Sequence, residues 1–105
     1  MATLYVAEYR ALASVPSSQS FAPQPGQAPQ EPPVAEQTVA ITGSSTASTL
    51  FGGYTAMIRV NCDVVCSIAI GVNPTATTAN KRLAANQTEY FGVVPGQRIA
   101  VITNV

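Results

Sequence analysis

The chain has 105 residues, the length of a single domain, and its five Lys and Arg residues balance its five Asp and Glu residues. Only 10% of the residues are charged, and there is no His. A neutral chain lacks the basic surface that binds nucleic acid or anionic membranes. Without His it lacks the commonest general base and metal ligand. We therefore expect no nucleic acid or membrane partner, no metal and no cofactor.

Residues 1–14 are predicted to contain an N-terminal β-strand. From Leu4 to Tyr9, β-forming side chains alternate with a period of two, which is typical of a half-buried strand. The same segment has no basic start, and Glu8 interrupts its apolar residues, so it does not resemble a secretory signal. We expect synthesis in a reducing compartment.

Residues 15–35 form a proline- and glutamine-rich segment, with six of the eight prolines and four glutamines. Because proline fixes φ and has no N–H, the segment excludes a helix or a central strand and predicts a polyproline-like or irregular arm. Fully extended at about 3.1 Å per residue, it spans on the order of 65 Å, enough to cross to a neighbouring subunit or to wrap the domain. A flexible linker is the alternative interpretation, since this composition is also typical of disorder.

Residues 36–105 are predicted to form the β-rich body of the protein. Short stretches with a period of two are separated by turn residues such as Pro95 and Gly96, and no stretch has a helical period. This pattern predicts an all-β fold, an antiparallel β-sandwich or jelly roll with a proline-rich N-terminal arm. The ten predicted core residues are Val39, Ile41, Ile58, Val60, Ile68, Ile70, Phe91, Val93, Ile99 and Val101.

Cys62 and Cys66 are the only cysteines. Two thiols without His do not make a four-ligand metal site. A disulfide requires the chain to reverse at residues 63–65, because an extended pair at this spacing is about 13 Å apart and a bridge needs Cα atoms within about 7 Å. The sequence leaves both states open, and synthesis in a reducing compartment favours buried thiols.

The chain offers few other groups for chemistry. The carboxylates are scattered and no base accompanies a nucleophile, so we predict no enzymatic activity and no catalytic, cofactor-binding or metal-binding residues. The basic pair Lys81–Arg82 fits either an acidic partner or, as we favour, a solvated loop. Residues 52–54, Gly-Gly-Tyr, predict a turn rather than a ligand site. The glycosylation sequon at Asn86 has no meaning without export.

The small number of charged residues in the body indicates what kind of environment its surface fits. Residues 36–105 contain seven charged side chains, fewer than the surface of a free-standing small domain usually carries. Such a surface lacks the repulsion that keeps monomers apart. It fits either an isolated neutral β domain or a protein packed against other subunits.

Several elements of the C-terminal half form a recognisable pattern. They are a strand with Arg59, a turn at Asp63, a Gly-x-Asn-Pro-x-Ala loop at 71–76, and an aromatic strand followed by a Pro-Gly-Gln turn at 95–97. Over about residues 55–103 this pattern resembles small virion structural proteins of tailed bacteriophages. The resemblance implies a virion component without a catalytic site.

The resemblance and the composition together lead us to expect a non-enzymatic capsid decoration or cement protein. Its expected partners are the major capsid protein and copies of itself, in a homo-oligomer within a virion assembled in the host cytoplasm. A neck, connector or tail structural protein is the alternative. A ligand-binding β module is a further one, although the few aromatic residues and the absence of Trp argue against it.

Overall fold

The computed structural model describes residues 2–17 and 20–104, with the side chains of residues 2–12 and 28–104. These residues form β-strands joined by turns and loops, and they contain no helix. Ten strands are described: β1 (Thr3–Tyr9), β2 (Leu12–Ser17), β3 (Ser20–Pro29), β4 (Ala35–Ala40), β5 (Thr46–Ala47), β6 (Met57–Cys62), β7 (Cys66–Gly71), β8 (Lys81–Leu83), β9 (Thr88–Gly92) and β10 (Arg98–Thr103).

Eight of these strands make two four-stranded antiparallel sheets. The first sheet has the order β4-β1-β6-β9, and the second has the order β5-β10-β7-β8. One hydrophobic cluster contains buried side chains from both sheets. The all-β, sandwich-like architecture predicted from the strand and turn pattern is therefore confirmed.

The alternation along each strand decides which side chains enter the core. In β6, Ile58, Val60 and Cys62 are buried, while the residues between them are less buried. The period of two places such a set on one face of the sheet. Eight of the ten predicted core residues are buried, and the other two, Ile70 and Phe91, are partly buried and pack against the cluster.

The N-terminal strand is an internal strand of the first sheet. Strand β1 pairs antiparallel with β4 on one side and with β6 on the other, so that Val6 lies opposite both Gln37 and Val60. Its core-facing residues Leu4 and Val6 are almost fully buried. The first residues of the chain thus complete a sheet whose other members come from residues 35–92.

The proline-rich segment differs from the polyproline-like or irregular conformation expected of it. Strands β2 and β3 form an antiparallel hairpin that starts at the pair Leu12–Pro29 and reaches the pair Ser17–Ser20, with two irregularities in register. Proline is tolerated because both strands of a two-stranded hairpin are edge strands, where a missing N–H faces away from the partner. The prediction that no helix or central strand forms here agrees with this arrangement.

The hairpin lengthens the molecule. The principal extents are 52 × 25 × 22 Å, and the Cα radius of gyration is 15.1 Å, against about 13 Å for a compact domain of 100 residues. In the described part of the chain, β2 and β3 form a ladder only with each other, and of the hairpin side chains that are described, those of Leu12, Ala28 and Pro29, none belongs to the hydrophobic cluster. The body therefore has a core of its own.

Candidate interaction surface

The outer face of the first sheet carries an aromatic and charged surface. Strand register places Glu36, Ala7, Arg59 and Tyr90 in one row across β4, β1, β6 and β9. Tyr5 lies two residues before Ala7 and therefore on the same side of β1. We call these five residues the tyrosine face.

The tyrosine face is open to solvent and contains a groove. Tyr5 and Tyr90 are 50% and 49% exposed. The small side chain of Ala7 lies between Glu36 and Arg59, and the groove there has a volume of about 350 Å³. Tyr and Arg are enriched at protein interfaces and among the residues that contribute most to binding. The composition of this face therefore resembles that of protein interfaces.

The base of the hairpin lies beside one end of the same sheet. Leu12 and Pro29 line a small cavity of about 220 Å³ together with Met57 and Tyr90. Tyr9 lies opposite Met57 in the ladder, on the outward side of β1, yet it is only 4% exposed. Two residues of the hairpin base thus border a cavity at this end of the sheet face.

Hydrogen bonds hold the hairpin base against the body. The hydroxyl of Tyr9 donates to Oε2 of Glu31 at 2.8 Å. Burial, followed by the hydrogen bond to Glu31 and its negative charge, raises the pKa of Tyr9 above 10.0. The Gln30 N–H donates to the Ala11 carbonyl at 3.0 Å, and the Val34 N–H donates to the Glu8 carbonyl at 2.8 Å. These bonds fix the direction in which the hairpin leaves the sheet.

Glu8 is a buried carboxylate that holds a loop and is not free for chemistry. Its Oε1 accepts hydrogen bonds from the Thr55 hydroxyl at 2.7 Å and from the Gly52 N–H at 2.9 Å, and its Oε2 accepts one from Gln37 at 3.3 Å. The Thr55 N–H donates to the Gly52 carbonyl at 3.1 Å. The expected turn at residues 52–54 is present, and Glu8 ties it to β1.

The two cysteines are buried free thiols at opposite ends of the β6–β7 connection. The Cys62 thiol donates to the Ala84 carbonyl at 3.1 Å. Burial, with a smaller contribution from neighbouring Cys62, raises the pKa of Cys66 to about 12. A thiol with so high a pKa is a poor nucleophile at neutral pH. Both residues serve as part of the core.

The basic pair lies in a strand rather than in the expected loop. Lys81 and Arg82 begin β8, the edge strand of the second sheet, and both are exposed. The ammonium of Lys81 lies 4.9 Å from the centre of the Phe91 ring. Charged residues on a short edge strand discourage pairing with another sheet. Asn86 is an exposed residue with φ of 64°, a conformation that Asn tolerates in tight turns.

Within the described ranges, no three His, Cys, Asp or Glu side chains lie close enough together to hold a metal ion. None of the described residues belongs to a helix that could cross a membrane. No protein-family model, curated protein or solved structure matches the chain. What the protein does is therefore inferred from its own residues.

Proposed function

We propose that the protein is a non-enzymatic structural component of a phage virion that binds the outside of the capsid and stabilises it as a decoration or cement protein. The resemblance of residues 55–103 supports the virion assignment. The observation that carries the capsid-binding role is the hairpin: residues 11–30 contain no charged side chain, and β2 and β3 extend from the body as a separate strand pair.

A projecting, uncharged hairpin calls for a partner on physical grounds. A two-stranded hairpin by itself is at best marginally stable in water, and it becomes stable when it packs against another surface. Its prolines lower the entropy that is lost on ordering, because φ is already restricted at those positions. The hairpin therefore acts as the N-terminal arm of the protein, bound across a neighbouring subunit of the shell.

The body contributes a second contact. Its surface has few charges, in keeping with interface cores, which are depleted in charged residues. Two contacts linked within one chain raise the effective concentration of each. The protein thus clamps neighbouring subunits, with the major capsid protein and further copies of itself as partners.

Two other functions remain candidates. A neck, connector or tail protein would use the same hairpin within a ring, and its copy number in the particle separates it from a decoration protein. A ligand-binding module is favoured only by the groove beside Ala7, whose 350 Å³ is at the small end of the range of about 300–1,000 Å³ for ligand pockets. For the fold, we propose that the strands of the body are connected as in a jelly roll. The strand order in a solved structure of the assembled protein tests this connectivity.

Removing the hairpin tests the capsid-binding role. Residues 12–29 are replaced by Asn-Gly, which joins Ala11 to Gln30 through a tight turn that the existing hydrogen bond from the Gln30 N–H to the Ala11 carbonyl can close. We expect the variant to fold, since the core cluster already joins both sheets of the body without Leu12, Ala28 or Pro29, the hairpin residues whose side chains are described. We also expect it to lose binding to expanded capsids in a sedimentation assay. If the full chain itself does not bind capsids, the decoration role is wrong. If the shortened chain binds as well as the full chain, the arm is not the contact.

A further inference from the structure

We propose that the tyrosine face of one copy binds the hairpin of a second copy. This inference deepens the proposed function, from which it takes the hairpin as an assembly element, by naming the surface that receives it. The hairpin is the segment that binds, and the tyrosine face is the surface that receives it. Four of its prolines lie between residues 16 and 29, and no charge interrupts it.

The chemistry of the tyrosine face matches such a segment. Each proline lacks an N–H, so a proline-rich strand presents more hydrogen-bond acceptors than donors. Arg59 and the hydroxyls of Tyr5 and Tyr90 are donors, and the aromatic rings provide flat surfaces of the kind on which proline-rich segments dock. Glu36 and Arg59 balance each other across Ala7. The groove is therefore close to neutral, as an uncharged occupant requires.

Within the chain, hairpin residues already share a cavity with a tyrosine at the adjoining end of the sheet. Leu12 and Pro29 line a cavity together with Met57 and Tyr90, and Tyr9, at the same end of β1, is buried. The groove beside Ala7 is one pleat further along β1, on the same side. The second hairpin would therefore lie next to the cavity that the first hairpin lines.

The occupant is a second copy because the chain's own hairpin is held elsewhere. The bonds from Tyr9 to Glu31 and from Gln30 to Ala11 fix its base. The groove is bounded by residues of β1, β4 and β6, and of the hairpin side chains that the structure describes, those of Leu12, Ala28 and Pro29, none lines it. Since the hairpin and the tyrosine face are different surfaces of the chain, the contact is head-to-tail. Repeated copies therefore close into a ring or continue as a filament.

Two variants test the hairpin and the tyrosine face separately. The chain in which Asn-Gly replaces residues 12–29 keeps only the tyrosine face. Ala7→Gln places a neutral side chain in the groove and keeps only the hairpin. The matched control is Val72→Gln, at a residue that is 74% exposed in the β7–β8 connection. Circular dichroism establishes that each variant is folded before it is used.

Sedimentation and light scattering then measure association of the purified chains. We expect the full chain and the Val72→Gln variant to associate at concentrations up to about 1 mM, and Ala7→Gln to weaken association at least about tenfold. We expect the shortened chain and Ala7→Gln to be monomers when separate and to form a one-to-one dimer, and nothing larger, when mixed. The inference is wrong if the full chain is monomeric, or if the two variants stay monomeric when they are mixed. It is also wrong if Ala7→Gln and Val72→Gln weaken association equally.

The capsid assay distinguishes failure of this inference from failure of the proposed function. If the full chain binds capsids but its copies do not associate, the decoration role stands and the tyrosine face does not receive the hairpin. If copies associate through the groove but no chain binds capsids, the self-association is correct and the decoration role is wrong.

Discussion

The carboxylate of Glu8 accepts a hydrogen bond of 2.7 Å from the hydroxyl of Thr55, and both side chains are almost completely buried. The bond joins the end of β1 to a loop 47 residues later in the chain. Because the same carboxylate also accepts from Gly52 and Gln37, it fixes the loop and the edge strand β4 relative to β1.

Replacing Glu8 is therefore expected to destabilise the body. Glu8→Ala leaves buried donors without an acceptor, and we expect a loss of about 3 kcal/mol in the free energy of unfolding. Thr55→Val, which removes one donor and keeps the shape, should cost less. Urea unfolding of both single variants and of the double variant measures the coupling. Strict additivity of the two substitutions would show that the bond contributes nothing.

The shared core predicts a sharp contrast between two aliphatic residues. Ile58 is fully buried at the centre of the first sheet, whereas Val72 is 74% exposed. We expect Ile58→Ala to lower the free energy of unfolding by about 2–5 kcal/mol and Val72→Ala to change it by less than about 0.5 kcal/mol. Denaturant titrations provide both values. Similar effects at the two positions would contradict the assignment of the core.

The hairpin base is expected to weaken at high pH. Tyr9 must remain protonated to donate to Glu31, and its folded-state pKa is raised above 10.0. The contribution of Tyr9 is thus fully present below pH 10 and is lost as the pH rises through the folded pKa. Tyr9→Phe should cost about 1 kcal/mol at neutral pH and flatten the loss of stability above pH 10. A variant with the wild-type pH profile would rule out this role for Tyr9.

The cysteines are predicted to be thiols in the assembled protein. Cys66 has its pKa raised from 9.0 to about 12, so its contribution to stability is complete below pH 9 and falls as the pH rises from 9 to about 12. In the native protein both thiols should resist alkylation at neutral pH. After denaturation without reductant, mass spectrometry should find both Cys62 and Cys66 fully alkylated, whereas an unlabelled chain would reveal a bridge between them.

The period of two along β6 was enough to predict which side of the strand enters the core, because burying alternate side chains is a local property of a strand. The partners of Glu8 were not predictable, since Thr55 and Gln37 reach it only after three separate segments have assembled. The tyrosine face was missed for the same reason. Its residues come from four strands, and only the strand register places Ala7 between Glu36 and Arg59.

The proline-rich segment shows a different limit. Restricted φ and missing N–H groups identify edge-compatible, extended backbone, but they do not distinguish a polyproline-like arm from one that pairs with Leu12–Ser17. The short strands β5 and β8 were likewise not predicted. These strands have two and three residues, which is too few for an alternation of apolar and polar side chains to be recognised in the sequence.

The composition of purified virions tests the decoration role. Quantitative mass spectrometry measures the ratio of this chain to the major capsid protein, with a known neck protein of the same particle as the internal reference. A decoration protein is expected at a copy number comparable to that of the capsid protein. Absence of the chain from the particle would contradict a virion role, and a copy number equal to that of the neck reference would contradict decoration in favour of a ring at the neck or tail.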